Sequence, residues 1–187
     1  MSSRSVFNSR RSVLRLSGSL ALTMVGAPAL ATLTTPVRAK ARDVQMAHLH
    51  TSEHIGLIFA VGGEYIDPAL SKLNHFLRDH YSQAVGVMDP LLYDLLHQIR
   101  VDLGVRGSYE VISGYRSPRT NENLRTSRAG GVAKRSLHMD GKAIDVRLPG
   151  VPLSDLRDAA KAQNAGGVGF YPRDQFVHID TGRVRYW

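Results

Sequence analysis

Apolar positions recur at helical spacing in two stretches, Leu70, Leu73 and Leu77, then Leu92, Leu95, Leu96 and Ile99. Each stretch follows an Asp-Pro pair, Asp67-Pro68 and Asp89-Pro90. An aspartate can cap the free N–H groups of a first turn, and proline has the backbone angle that turn needs. The spacing predicts helices over 68–80 and from Pro90 onward, the second closed by Gly104. Ser117-Pro118 starts a third helix to about Leu124, and residues 153–164 form a fourth, ended by Gly166-Gly167. Elsewhere the chain is β-branched and aromatic. Residues 48–66 (HLHTSEHIGLIFAVGGEYI) read as a hairpin turning at Gly62-Gly63, and YEVIS (109–113) and AIDVRL (143–148) as strands. VGFY and FVHIDTG read as two strands joined by a turn at 172–175, and the polar, basic stretch 125–135 as a loop. Helices come early and the sheet mostly late. That order predicts an α+β fold, an antiparallel sheet with helices packed on it.

The N-terminal 39 residues follow a different logic. Arg10 and Arg11 form a pair, followed by an apolar stretch from Leu16 to about Leu33 and by small residues at Ala29-Leu30-Ala31 and Val37-Arg38-Ala39. This resembles a twin-arginine (Tat) export signal. The alternatives are an amphipathic anchor or a single membrane helix, but Gly18, Gly26 and Pro28 interrupt the stretch. The expectation is therefore a leader over 1–39, recognised by the Tat export machinery, and a functional domain over 40–187. After cleavage it would have no stable membrane span and would reside in the periplasm.

Charge changes with that division. The 187-residue chain carries 24 Lys and Arg against 16 Asp and Glu, a net +8. Residues 1–39 hold five of those basic residues and no acidic one, so the remainder is only +3. Nucleic-acid binding is accordingly not expected. There is no cysteine, which excludes disulfides, thiolate nucleophiles and cysteine-ligated zinc. No G-x-S-x-G motif supports a serine hydrolase.

A metal site must then use His, Asp or Glu. In SLHMDGKAID, His138 lies in a turn and Asp145 on the strand after it, with Gly141 allowing the chain to turn between them. His178, central in FVHID, lies on a strand that could run beside it, and neighbouring strands hold same-face side chains about 5 Å apart. His138, Asp145 and His178 are thus a candidate set with a position left for water. Each also has a plain reading: a solvated histidine, an aspartate paired with arginine, a hydrogen-bonded core histidine. Spacing alone leaves both open.

The segment S-x-H-x-x-G-x-A-x-D, filled by Ser136, His138, Gly141, Ala143 and Asp145, resembles the signature of zinc peptidases that act on bacterial cell walls. These include the D-Ala-D-Ala peptidases and the LAS murein endopeptidases. VISGYRS (111–117) and GGVGFYPRDQFVHIDTGRVRYW (166–187) are similar to a narrower branch, the YcbK-like murein endopeptidases. The resemblance implies a hedgehog/D-Ala-D-Ala-peptidase-like fold and Zn2+ held by His138, Asp145 and His178. It also implies hydrolysis of peptide cross-links in peptidoglycan, including those between meso-diaminopimelate residues. Arg116 matches the arginine that steadies the oxyanion in the wider family. The general base is missing from its usual places. Gln175 stands where an E-x-x-H motif has glutamate, and Phe176 where an H-x-H motif has histidine. Asp180, on the face of His178, is the expected substitute, as proton acceptor or as partner orienting a ligand histidine. Asp174 is the second choice.

The basic residues Arg116, Arg119, Arg125, Arg128, Lys134 and Arg135 would form a rim attracting the carboxylates of peptidoglycan stem peptides. Tyr115, Phe170 and Tyr171 are candidate cleft aromatics or core residues. His48, His50 and His54 carry no ligation motif, and His75, His80 and His97 are expected on helices in structural or solvated roles. Two alternatives stay open: a D-Ala-D-Ala carboxypeptidase, and a zinc-containing peptidoglycan-binding or scaffold module without catalysis.

Overall fold

The computed structural model describes residues 40–127 and 132–187. The leader, its cleavage sites and Arg128 lie outside the described residues. The strands are β1 (Ala41–His48), β2 (His54–Val61), β3 (Glu64–Tyr65), β4 (Tyr109–Ser113), β5 (Ala143–Arg147), β6 (Gly167–Tyr171), β7 (Phe176–Asp180) and β8 (Arg185–Tyr186). The helices are α1 (Asp67–Phe76), α2 (Pro90–Asp102), α3 (Pro118–Ser127) and α4 (Leu153–Ala162). The strands form one sheet in the order β3-β2-β1-β4-β5-β7-β6-β8.

The α+β class is as expected, but the sheet is mixed. β1 runs parallel to β4, and β6 parallel to β8, while the other neighbours are antiparallel. The first parallel pair follows from α1 and α2 lying between its strands, since a return in the same direction needs a long crossover. The hairpin expected over 48–66 is displaced. Residues 49–53 of its first arm form the turn after β1, and the rest of that arm is β2, which pairs mainly with 41–47. The turn at Gly62-Gly63 exists, but leads only into the short β3.

Asp89 caps α2 as expected, its Oδ1 accepting from the Leu91 N–H at 3.0 Å. Asp67 does not cap α1. It is already helical, Ile66 takes the cap position, and no side chain satisfies the first turn. α1 also stops at Phe76, short of the expected 80, because the chain turns there around the buried Asp79.

Leu73, Leu77, Leu92, Leu96 and Ile99 are fully buried, and so are Ile144, Val146, Val177 and Ile179. Successive strand residues point to opposite faces. That alternation sends Ile144, Val146, Val177 and Ile179 into the core under the helices. It leaves Ala143, Asp145, His178 and Asp180 on the other face. A register shift between Val111 and Ser113 interrupts β4, as bulges do when a strand re-aims a side chain. Among the described residues, no helix is long and apolar enough to cross a membrane.

Candidate metal centre and cleft

Asp145 on β5 and His178 on β7 are direct cross-strand partners. His138 reaches them from the turn before β5. Asp145 Oδ1 lies 2.8 Å from His178 Nδ1 and 3.3 Å from His138 Nε2, and the two ring nitrogens are 3.3 Å apart. Candidate ligand atoms of all three lie within 4.8 Å of one another, and among the described residues no other such His, Cys, Asp or Glu group forms.

The turn that presents His138 depends on Gly141. Its φ is +67°, where side chains are disfavoured, and a Cβ there would collide with the Val87 carbonyl. The Gly141 carbonyl also accepts from the Asp89 N–H at 2.9 Å, tying this turn to the cap of α2. The Arg116 N–H donates to the His138 carbonyl at 3.1 Å.

The far nitrogen of each histidine is engaged. His138 Nδ1 is 2.7 Å from the Gly114 carbonyl, so it carries the proton and leaves Nε2 as a lone pair. His178 Nε2 is 3.0 Å from Asp180 Oδ2, a partner that holds a proton there, so Nδ1, beside Asp145, is the nitrogen that can exchange its proton for a metal. Such outer partners fix tautomer and ring orientation at metal sites. Two imidazole lone pairs and a carboxylate oxygen facing one point suit a divalent ion of the zinc type.

Burial alone would raise the Asp145 carboxyl. The adjacent His138 and His178 outweigh it and hold the group well below the usual carboxylate range. Burial likewise opposes charge on His178, but Asp145 and Asp180 at its two nitrogens raise its pKa to about 9.

Asp180 shares the face of His178, as its spacing requires, but it does not open onto the cleft. It is 0% exposed. Its Oδ1 accepts from the N–H groups of Gly167 (3.0 Å) and Gly182 (2.8 Å) and from Arg185 (3.1 Å). Its Oδ2 accepts from Arg185 at 2.7 Å and faces His178. A carboxylate so enclosed has no lone pair left for an incoming water. Of its two expected roles, the geometry supports orienting His178 and not accepting a proton from water.

Arg116 lies beside the triad, with Nη2 3.8 Å from Asp145 Oδ2 and 3.2 Å from Ser113 Oγ. Both line a cleft of about 480 Å3 together with His138, Asp145 and His178. Of the basic rim, Arg116 and Arg135 line this cleft, joined by Arg185 from the C-terminal segment. Arg125 instead pairs with Glu122 on exposed α3. Tyr171 is in the lining, while Tyr115 and Phe170 pack against the core. Asp174 is in the lining too, exposed on the β6–β7 turn. A separate, more apolar groove of about 510 Å3 beside α1 contains none of the triad.

Three cleft residues were not anticipated. Trp187 follows β8, where its backbone bonds to Phe170 and Val168 on β6. Its indole lies 5.3 Å from the His178 ring and donates to the Tyr171 hydroxyl at 2.7 Å. Gly169, opposite His178, makes room for it, since a Cβ there would sit 2.7 Å from the indole. His50 and His80 also line the cleft. Their rings stack face to face at 4.1 Å. Contrary to expectation His80 is not helical; it lies in the turn after α1. No local pattern marks these residues, because their positions are set by the ends of distant elements.

The chain is similar to known proteins over most of its length. Residues 37–187 match the Peptidase_M15_2 family model, described as peptidoglycan L,D-endopeptidase MepK. Peptidoglycan L,D-endopeptidase MepK of Escherichia coli (strain K12) is 46% identical over 179 residues, 95% of this chain and 96% of the relative. The Shigella flexneri protein of the same name shows the same identity and coverage. The probable peptidoglycan L,D-endopeptidase MepK of Haemophilus influenzae is 38% identical over 184 residues, 97% of each chain.

Proposed function

The chain belongs to the peptidoglycan L,D-endopeptidase MepK family, and from that membership we propose that it is a zinc-dependent peptidase cutting peptide cross-links of peptidoglycan. The observation that carries the reading is the convergence of His138, Asp145 and His178 in one cleft beside Arg116. The names of the relatives point to a bond between an L- and a D-centre, as in a meso-diaminopimelate to meso-diaminopimelate link.

His138 Nε2, Asp145 Oδ1 and His178 Nδ1 would hold the ion. When bound, such an ion polarises a carbonyl and brings the pKa of a water to about 7. Gly114 and Asp180 keep the two histidines in the ligating tautomer. Arg116 donates to the oxyanion that forms as water adds to the scissile carbonyl, the kind of preorganised donor that contributes strongly to catalysis. Arg116, Arg135 and Arg185 attract the free carboxylates of stem peptides. The twin-arginine leader supports export and action in the periplasm, and replacing Arg10 and Arg11 by lysine is expected to retain the protein in the cytoplasm.

The direct test incubates the zinc-loaded protein with purified peptidoglycan and separates the muropeptides. Cross-linked dimers should fall to monomers with the wild type and persist with His138→Ala. The dimers that vanish identify the bond. Release of terminal D-Ala without dimer cleavage would replace this reading by a carboxypeptidase. Stoichiometric zinc binding with no muropeptide change would replace it by a binding module.

A further inference from the structure

Trp187, the chain's single tryptophan, is firmly held and yet half open. Its backbone N–H donates to the Val168 carbonyl at 3.3 Å, and its carbonyl accepts from the Phe170 N–H at 2.9 Å. Its indole N–H is satisfied by the Tyr171 hydroxyl, and Gly169 leaves the space that the ring fills. The His178 ring at 5.3 Å and the Arg185 guanidinium at 4.8 Å pack against it, yet Trp187 remains 49% exposed. An indole anchored this well and still facing a cleft is apolar surface that the fold's own packing does not use.

The ring belongs to a longer wall. Gly169 and Tyr171 lie on one face of β6, and their partners in register, His178 and Phe176, lie on the same face of β7. The Tyr171 and Phe176 rings stack at 4.6 Å, and both line the cleft with Trp187. One same-face step along a strand is about 7 Å, so the wall runs that far from His178 before the turn at 172–175 begins. There the lining becomes charged, with the exposed Asp174. The wall is thus apolar beside the metal ligand and acidic at its far end.

This order of surfaces matches one part of a link between two diaminopimelates. The residue that supplies the scissile carbonyl carries a trimethylene arm ending in a free ammonium and a free carboxylate. From the carbonyl carbon to the ammonium nitrogen the extended arm is about 7 Å long. The residue on the amine side has no free ammonium for Asp174, since its amine is the one acylated. In a link made through D-Ala, the carbonyl residue has only a methyl group.

We propose that Trp187, Tyr171 and Phe176 form a subsite for the side arm of the residue whose carbonyl is attacked, with Asp174 receiving the arm's ammonium. The assignment rests on the peptidoglycan reading above. It makes this wall the feature that favours a diaminopimelate over a D-Ala at the scissile carbonyl. Arg173, exposed beside Asp174, is the matching cation for the arm's carboxylate.

Fluorescence of the single tryptophan reports this subsite directly. The zinc-loaded full chain is titrated with the sugar-free tripeptide L-Ala-γ-D-Glu-meso-diaminopimelate, and with the same peptide ending in norleucine or in alanine. Norleucine keeps the methylenes of the arm and loses its charges; alanine loses both. The diaminopimelate peptide should shift the emission saturably. The norleucine peptide should bind about 2- to 5-fold more weakly, the scale of an exposed ion pair. The alanine peptide should bind about 5- to 30-fold more weakly again, the scale of methylenes covered on one face. Asp174→Asn should weaken only the diaminopimelate peptide.

With a diaminopimelate-linked muropeptide dimer, Trp187→Ala should raise KM by about 5- to 30-fold and change kcat by less than about threefold, as loss of uniform binding does. Trp187→Phe should recover part of the loss, and zinc affinity should stay within about twofold of wild type in both variants. Equal affinity for the three peptides, or a response to a GlcNAc-MurNAc disaccharide in place of them, overturns the subsite. So does dimer cleavage with wild-type KM in Trp187→Ala. Loss of zinc affinity in both variants overturns it too, and assigns the ring to holding His178. A wild type that binds the diaminopimelate peptide but cuts no dimer overturns the peptidase reading and leaves the subsite standing.

Discussion

Asp180→Asn separates the two roles that the sequence allowed for this residue. The asparagine oxygen can still accept from the Gly167 and Gly182 N–H groups, now at 3.0 and 2.8 Å. That choice turns the amide NH2 toward Arg185 and His178 Nε2, where Oδ2 now accepts. Two donors then face each other unless His178 moves its proton to Nδ1. Nδ1 is the atom beside Asp145, so the proton would occupy the ligating position. Losing an outer partner of this kind costs about 10- to 100-fold in metal affinity. That corresponds to about 1.4–2.7 kcal/mol. Arg185 is partly exposed and can rehydrate, so global stability should fall less than for a fully buried pair. The assay is zinc affinity by chelator competition on folded protein, with circular dichroism as the check on folding. Affinity within twofold of wild type would refute the tautomer argument. Unchanged affinity together with lost turnover would return Asp180 to the role of proton acceptor.

Other perturbations test the scaffold. Gly141→Ala combines a positive φ with a collision against the Val87 carbonyl and should cost about 2–4 kcal/mol in urea unfolding. Gly104→Ala has nearly the same φ but open space, and should cost about 1 kcal/mol; equal losses would refute the packing term. The buried His48 has a pKa lowered to about 4, first by burial and then by His80 and His50. The unfolded chain takes up that proton near pH 6.5 and the folded chain only near 4. The contribution of His48 to stability should therefore be flat above pH 6.5 and decline as pH falls toward 4, by up to about 1.4 kcal/mol per pH unit. His48→Gln should flatten that slope by about one proton, and an unchanged slope would refute the assignment to His48.

Much of the centre was legible because its chemistry is local. The seven-residue separation of His138 and Asp145, the glycine between them, and alternation along β5 and β7 all act within a few residues. So does the Asp89-Pro90 cap, which the structure keeps. Asp67-Pro68 looked equivalent and is not, because the backbone enters α1 one residue earlier and takes the aspartate into the first turn.

What the sequence by itself determined, then, was the class of fold and the three candidate ligands, which depend on short-range periodicity, turn geometry and the absence of cysteine. The arginine beside them rests on the resemblance to the zinc peptidases. Tertiary structure alone decided the rest. Pairing of residues 41–47 with β2 left 49–53 as the turn bearing His50. The turn around Asp79 brought His80 against it, and strand β8 beside β6 placed Trp187 next to His178. Asp180 and Asp174 are both aspartates near His178. One is enclosed by two backbone N–H groups and Arg185, and the other faces the cleft. That difference comes from contacts between β7 and the neighbouring chain ends, which no spacing within FVHID encodes.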